Sequence, residues 1–340
     1  MISKMRTEAM EAAEVSAKQF ISNKTLLEGI SQELRSIDPY SIVSIARGSS
    51  DHAAQYLNYL VMAKLGMLPT SLSMSILTLY QAQLNVSKSV GIAISQSGQS
   101  PDVVNPLKYF TENSPGSLAL VNDTDSPLAK SAKWVVPLMA GPEKSVAATK
   151  SFIASLSASA HLVASWKKDD ALIKGLENLP SDLKKAQECD WTPSIETLIH
   201  AKRIMVVGRG FGLSLALEAA LKFKETCSIQ AEAFSAAEIK HGPQALIENG
   251  YPLIVFANRG PALHSMLDLA QDMRQRGAKV ILAAPSFVKE KDLEIFSATS
   301  EDLDILSAAQ SFYLMIEELS RALGLNPDEP RHLSKVTKTN

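Results

Sequence analysis

The chain has 340 residues, 46% apolar and 21% charged, with 34 Lys and Arg against 36 Asp and Glu, for a formal net charge of −2. At about 150 residues per domain this length suits two domains, and the composition excludes the disordered, collagenous and disulfide-dense classes. The even charge balance, with no long run of either sign, argues against a dedicated nucleic-acid surface.

The opening MISKMRTEAMEAAEVSAKQF is charged and helix-like and lacks an apolar signal region. No apolar run reaches the length of a membrane span. The two cysteines, Cys189 and Cys227, show neither zinc nor redox spacing. A reducing cytoplasm is the expected location.

In chain order, residues 1–37 read as one or two amphipathic helices, closed by Asp38-Pro39 before the apolar run Ile42–Ala46, a first strand. A helix is expected near 51–65, strands within 70–76 and at 90–94, a helix over 101–112, strands at 117–121 and 134–138, and a helix over 148–166. Strands alternating with helices imply a parallel, doubly wound sheet. Around 169–195 the composition turns polar, with Pro180, Asp190 and Pro193, and a new apolar run starts at Ile204. The domain boundary is placed there.

The second half restarts the plan. IVSIARGSS (Ile42–Ser50) aligns without gaps on IMVVGRGFG (Ile204–Gly212), each a strand, a glycine turn and a helix. The expected class is α/β, with two tandem doubly wound parallel sheets behind an N-terminal helical segment. The expected parts are 1–37, 38–190, 191–328 and a tail, 329–340, that closes the active site.

Ligands of such sheets bind beyond the carboxyl ends of the strands. One of these loops, in VGIAISQSGQSPD, carries Ser95, Gln96, Ser97 and Ser100, with Pro101 as first helical residue and Ser100 as its cap. Backbone N–H groups at a helix start, aided by hydroxyls, can seat a phosphate without any lysine. The same residues also suit a plain turn and cap. Ser49 and Ser50, at the end of the first strand, tilt the choice toward phosphate. No GxxxxGK[ST] occurs, and Gly208–Gly212 lacks the third glycine of a dinucleotide fingerprint, so nucleotide cofactors are disfavoured.

In LSLALEAALKFKETCS, Glu218, Lys222 and Glu225 stand at i, i+4 and i+7, within an arc of about 60°. On an exposed helix this is a solvated ion-pair stripe. Here Ala216, Ala219, Ala220, Leu221 and Phe223 cover most of the remaining circumference, so the charges should face a cavity or interface, where a carboxylate can act as a base. His241 precedes Gly242-Pro243, which leaves an imidazole at a loop. Composition alone gives Lys335, in the tail, no role.

Taken together, ARGSS, SQSGQSPD, SVAATKSF, ALEAALKFKE, AEAFSAAEIKHGPQALI and PRHLSKVT resemble the isomerase half of glucosamine-6-phosphate synthase, a tandem sugar isomerase (SIS) family with flavodoxin-like three-layer αβα domains. The match runs from about residue 40 to the end. The resemblance implies that Ser50, Ser95, Gln96, Ser97 and Ser100 bind the substrate phosphate, and that Ser49, Val146 and Ser334 line the sugar. It implies that Glu225 moves a proton between C1 and C2, that His241 assists ring opening, and that Lys335 can bond covalently to a keto sugar. Glu218 and Lys222 match supporting residues on the same helix. It further implies a homodimer in which His241 reaches the neighbouring subunit's site, and no metal or cofactor.

Arg47, Ala148 and His332 depart from the family pattern and bear on sugar selectivity. No glutaminase domain precedes the first strand, so glutamine hydrolysis is not expected. The expected reaction is deamination of glucosamine 6-phosphate with isomerisation to fructose 6-phosphate. The alternatives are a galactosamine-6-phosphate deaminase, a fructosamine-6-phosphate deglycase, an aldose-ketose isomerase, an ammonia-dependent aminating reaction, or a sensor that binds sugar phosphate without turnover. A sensor would not need Glu225, Lys222 and Lys335 together. A DNA-binding regulator would carry a helix-turn-helix module in front.

Overall fold

The structure, a computed structural model, describes residues 2–335. In chain order it forms α1 (Lys4–Met10), α2 (Ala12–Ile37), β1 (Ser41–Ile45), α3 (Gly48–Leu60), β2 (Leu68–Ser71), α4 (Ser75–Thr78), β3 (Ser89–Ser95), α5 (Pro101–Asn113), β4 (Gly116–Val121), α6 (Pro127–Ser131), β5 (Trp134–Pro137) and α7 (Lys150–Lys167). There follow α8 (Asp170–Ala186), α9 (Ile195–Leu198), β6 (Arg203–Gly208), α10 (Gly212–Cys227), β7 (Gln230–Ser235), α11 (Ala236–Ile239), β8 (Pro252–Phe256), α12 (Leu263–Gln275), β9 (Lys279–Pro285), β10 (Leu293–Ile295) and α13 (Asp304–Ala322). No helix among the described residues is long and apolar enough to cross a membrane.

The strands form two five-stranded sheets, ordered β2-β1-β3-β4-β5 and β10-β9-β8-β6-β7, and every pairing is parallel. Read from its other edge, the second order is 7-6-8-9-10, the same winding as 2-1-3-4-5. Each sheet therefore reverses its strand order once, between β1 and β3 and between β6 and β8, and the crevice beyond those strand ends is where an open sheet takes ligands. Helices on both faces explain the nearly unbroken apolar strands: all six residues of β4 are buried. Val43, Ile45, Ala93, Leu107, Phe110 and Val121 belong to the core of the first sheet. Met205, Val207, Leu253, Val255, Met266 and Leu282 belong to that of the second.

Two compact units result, and they interleave along the chain instead of meeting at one boundary near residue 190. Of the described residues, the first-sheet unit comprises 14–143, 150–177 and 334–335; the second-sheet unit comprises 2–13, 144–149 and 178–333. The polar stretch in which the domain boundary was expected is largely helix α8, with Pro180 inside it. Its apolar stripe explains the difference: Leu172, Leu176, Leu179 and Leu183 recur at helical spacing and all are buried, each worth about 1.5–3 kcal/mol relative to exposure. Strand β2 also lies earlier than expected, at Leu68–Ser71, because it is an edge strand with mostly exposed residues and little apolar signal.

Candidate functional site

In the first-sheet unit, the carboxyl ends of β1 and β3 carry the two hydroxyl-bearing turns. After β1, Gly48 takes φ +54° and opens α3, whose first turn holds Ser49 and Ser50, both half-buried. After β3, Ser95 Oγ accepts from the Gly98 N–H at 2.9 Å and Ser97 Oγ accepts from the Gln99 N–H at 3.3 Å. Gly98 has φ +62°, and a Cβ there would collide with the Ser126 side chain, so only glycine lets the turn close. Ser95, Gln96, Ser97 and Ser100 are all half-buried.

Ser100 occupies the cap position of α5, with Pro101 next, but its side chain makes no capping bond. The cap expected from sequence is supplied instead by the Ser100 carbonyl, which accepts from the Val103 and Val104 N–H groups, each at 3.0 Å. Arg47 stood out in the sequence as a departure from the family pattern, but its charged neighbours Asp102 and Asp51 did not. Arg47 Nε donates to Asp102 Oδ2 at 2.9 Å and ties one turn to the other. Burial holds the Asp51 carboxyl above its ordinary range, while the charges of His52 and Arg47 pull it back down. Neither pair follows from a motif, since each partner is ordinary surface chemistry in the sequence.

In the second-sheet unit, α10 brings Glu218, Lys222 and Glu225 together as their spacing predicts. Lys222 Nζ lies 3.1 Å from Glu218 Oε1 and 2.6 Å from Glu225 Oε2. The Lys222 and Glu218 side chains are fully buried, and Glu225 is 20% exposed. Tyr313 on α13 donates its O–H to Glu218 Oε1 at 2.9 Å, a partner no spacing rule would find. Burial alone would lower the Lys222 ammonium, yet the two flanking carboxylates outweigh it and hold the group well above the ordinary lysine range. The result is a permanent cation beneath one partly accessible carboxylate.

His241 follows α11 and is exposed on its loop, its backbone N–H donating to the Glu238 carbonyl at 2.9 Å. Among the described residues no hydrogen bond or ion pair joins its imidazole to the α10 trio. Val146 is half-buried, and its N–H donates to the Asp328 carbonyl at 3.1 Å. The segment that carries it is fixed by Glu8, whose carboxylate accepts from the Lys144 and Ser145 N–H groups.

Ser334 is exposed and Lys335 half-buried. Lys335 Nζ donates to Glu143 Oε2 at 3.0 Å. The Glu143 side chain is fully buried, and it also accepts from the Ser151 N–H at 3.1 Å and the Ser151 hydroxyl at 2.6 Å. The sequence reading missed Glu143, which sits in an irregular segment where no periodicity marks a buried residue.

Known proteins sharing this pattern are informative. SIS domains match residues 37–165 and 197–319, the stretches that hold every strand of both sheets. The chain belongs to the SIS domain family. The isomerizing glutamine–fructose-6-phosphate aminotransferase of Methanothermobacter thermautotrophicus is 33% identical to this SIS protein over 316 residues, covering 90% of this chain and 52% of that protein. Its Thermus thermophilus counterpart is 31% identical, covering 90% and 53%. The chain thus spans about half the length of these curated relatives.

Among solved structures, a protein of Silicibacter pomeroyi described provisionally as a phosphosugar isomerase is 36% identical, with a TM-score of 0.91 over 96% of this chain and 100% of that one. Glucosamine-6-phosphate deaminase of Thermotoga maritima shares the fold at 17% identity, with a TM-score of 0.75 over 98% and 100%.

Proposed function

We propose that this SIS protein is an aminosugar-phosphate deaminase and isomerase that converts glucosamine 6-phosphate to fructose 6-phosphate and ammonia. The observation that carries the reading is the α10 trio, a partly accessible carboxylate bonded to a buried, permanently charged lysine. Phosphosugar chemistry of the isomerase type is supported by the names of the Silicibacter and Methanothermobacter proteins.

In the open-chain aldehyde, Glu225 takes the C2 hydrogen as a proton. The electron pair forms a C1–C2 double bond, and the aldehyde oxygen gains a proton to give the enolamine. Glu225 returns its proton to C1 while C2 becomes a ketimine. Water adds at C2 and ammonia leaves. Water is the only co-reactant this balance requires. The carbon acid is weak, so a carboxylate withdrawn from bulk solvent and a fixed cation beside it suit the step.

In this reading Ser50, Ser95, Gln96, Ser97 and Ser100 hold the phosphate through hydroxyls and the α5 start, with Ser49, Val146 and Ser334 against the sugar. Glu218 and Lys222 position Glu225. His241, supplied by a second copy of the chain, opens the ring, and Lys335 meets the keto sugar. The protein acts in the cytoplasm, and the likeness to the Thermotoga enzyme supports the fold alone.

The test is ammonia release across glucosamine, galactosamine and fructosamine 6-phosphates. Turnover of the glucosamine ester is expected to exceed that of the others and to fall at least about 100-fold in Glu225→Gln. No ammonia from any of them, or an unaffected Glu225→Gln, overturns the reading.

A further inference from the structure

Glu143 is a fully buried carboxylate that the proposed reaction leaves without a task, although it holds one of that reaction's lysines. Its carboxylate accepts three hydrogen bonds that matter here: Ser151 N–H to Oε1 at 3.1 Å, Ser151 Oγ to Oε2 at 2.6 Å, and Lys335 Nζ to the same Oε2 at 3.0 Å. All three residues belong to the first-sheet unit. Ser151 lies in the first turn of α7, so the carboxylate also faces the positive end of that helix. This is a stiff, pre-oriented acceptor, and its Oε2 is aimed at an amine.

We propose that Glu143 positions Lys335 and takes its proton so that the lysine can form an imine with the keto sugar. The inference rests on the proposed reaction only in assigning Lys335 to a keto sugar. An ammonium has no electron pair with which to attack a carbonyl, so imine formation must begin with loss of a proton, and Oε2 is the acceptor in hydrogen-bond contact. Lys335 passes one proton to Glu143, and the resulting amine attacks C2 of open-chain fructose 6-phosphate to give a carbinolamine. Glu143 then returns the proton to the C2 hydroxyl, which leaves as water, and the nitrogen becomes an iminium paired with the restored carboxylate. The net balance is ammonium plus ketone giving iminium plus water.

The experiment is borohydride trapping with fructose 6-phosphate, read as the rate at which the reduced adduct appears on the Lys335 peptide by mass spectrometry. Glu143→Gln keeps the shape and, through its single amide oxygen, one of the two bonds accepted from Ser151, but cannot accept the proton, and should slow trapping about 100-fold or more. Glu143→Asp restores a carboxylate and should lose no more than about 10-fold. A merely structural role predicts the reverse order, because the shorter side chain disturbs packing more than the isosteric amide.

If Glu143→Gln fails to fold, Ser151→Ala decides: it loosens the accepting oxygen while leaving both charges, and should slow trapping about tenfold. Trapping at the native rate in Glu143→Gln, or in Ser151→Ala where that variant decides, overturns the proposal, as does the absence of any Lys335 adduct in the native protein. Ammonia release separates the two claims. Glu143-dependent trapping without ammonia sinks only the deaminase reading, and normal ammonia release with Glu143-independent trapping sinks only this one.

Discussion

Lys222 is the residue on which α10 most depends. Its ammonium is fully enclosed and balanced by two carboxylates, one of them, Glu218, equally enclosed. Removing one partner of such a set leaves buried charge without a counter-ion. Lys222→Met should therefore destabilise the protein by about 3–5 kcal/mol, read as a lower urea midpoint. Tyr313→Phe deletes a hydroxyl donor to Glu218 Oε1 and should cost about 1–3 kcal/mol. Glu225→Gln stands apart, since its side chain keeps contact with solvent, and its stability loss should fall below that of Lys222→Met while its activity loss is the larger. The i, i+4, i+7 spacing made this trio legible before any coordinates, because helical geometry alone puts three such residues on one line. Tyr313 and Glu143 were not legible. One comes from a helix 95 positions from Glu218 in sequence, the other lies 192 positions from Lys335, and only tertiary packing joins them.

The turn between β3 and α5 shows what an element can demand of one residue. Gly98 holds φ +62° with no room for a Cβ beside Ser126, and Ser126 in turn caps α6 by accepting from the Ala129 N–H. Gly98→Ala should cost at least the roughly 1–2 kcal/mol of a left-handed non-glycine residue, and it should raise KM for the sugar phosphate more than it lowers kcat. Helix α7 carries a different constraint. Its His161 is buried, stacks on Phe20 at 4.7 Å between ring centroids, and is pushed from 6.5 down to about 4 by burial and, secondarily, by Lys24. Between those values the unfolded chain binds a proton that the folded protein refuses, so stability rises with pH across that window. The contribution is complete above 6.5, and up to about 3 kcal/mol is lost as pH falls to 4. Urea midpoints at pH 7 and pH 4.5 should lie closer together in His161→Phe than in the native protein. The strand-helix alternation of these elements was readable from apolar runs and glycine turns. Strand β2 and helix α8 were misplaced or missed, β2 because an exposed edge strand shows little apolar signal and α8 because Pro180 and a charged surface disguise a four-leucine stripe.

For the whole molecule, nine aligned residues at the two strand starts foretold that β1-α3 and β6-α10 are equivalent, and the two identical strand windings bear this out. The interleaving of residues 2–13, 144–149 and 334–335 between the units was not foretold, because chain exchange between domains leaves no periodic mark. The proposed pairing of two copies can be tested at this scale. If His241 serves the partner's site, mixing Glu225→Gln with His241→Asn after reversible unfolding gives hybrids in which one site carries both defects and the other carries neither. Random pairing makes half the dimers hybrid and repairs half of their sites, so activity should recover to about one quarter of native. Each variant refolded alone should stay inactive. Sedimentation of the mixture as a dimer with no recovery would mean that His241 acts within its own chain or not at all, and the exposed loop on which it stands would then need another purpose.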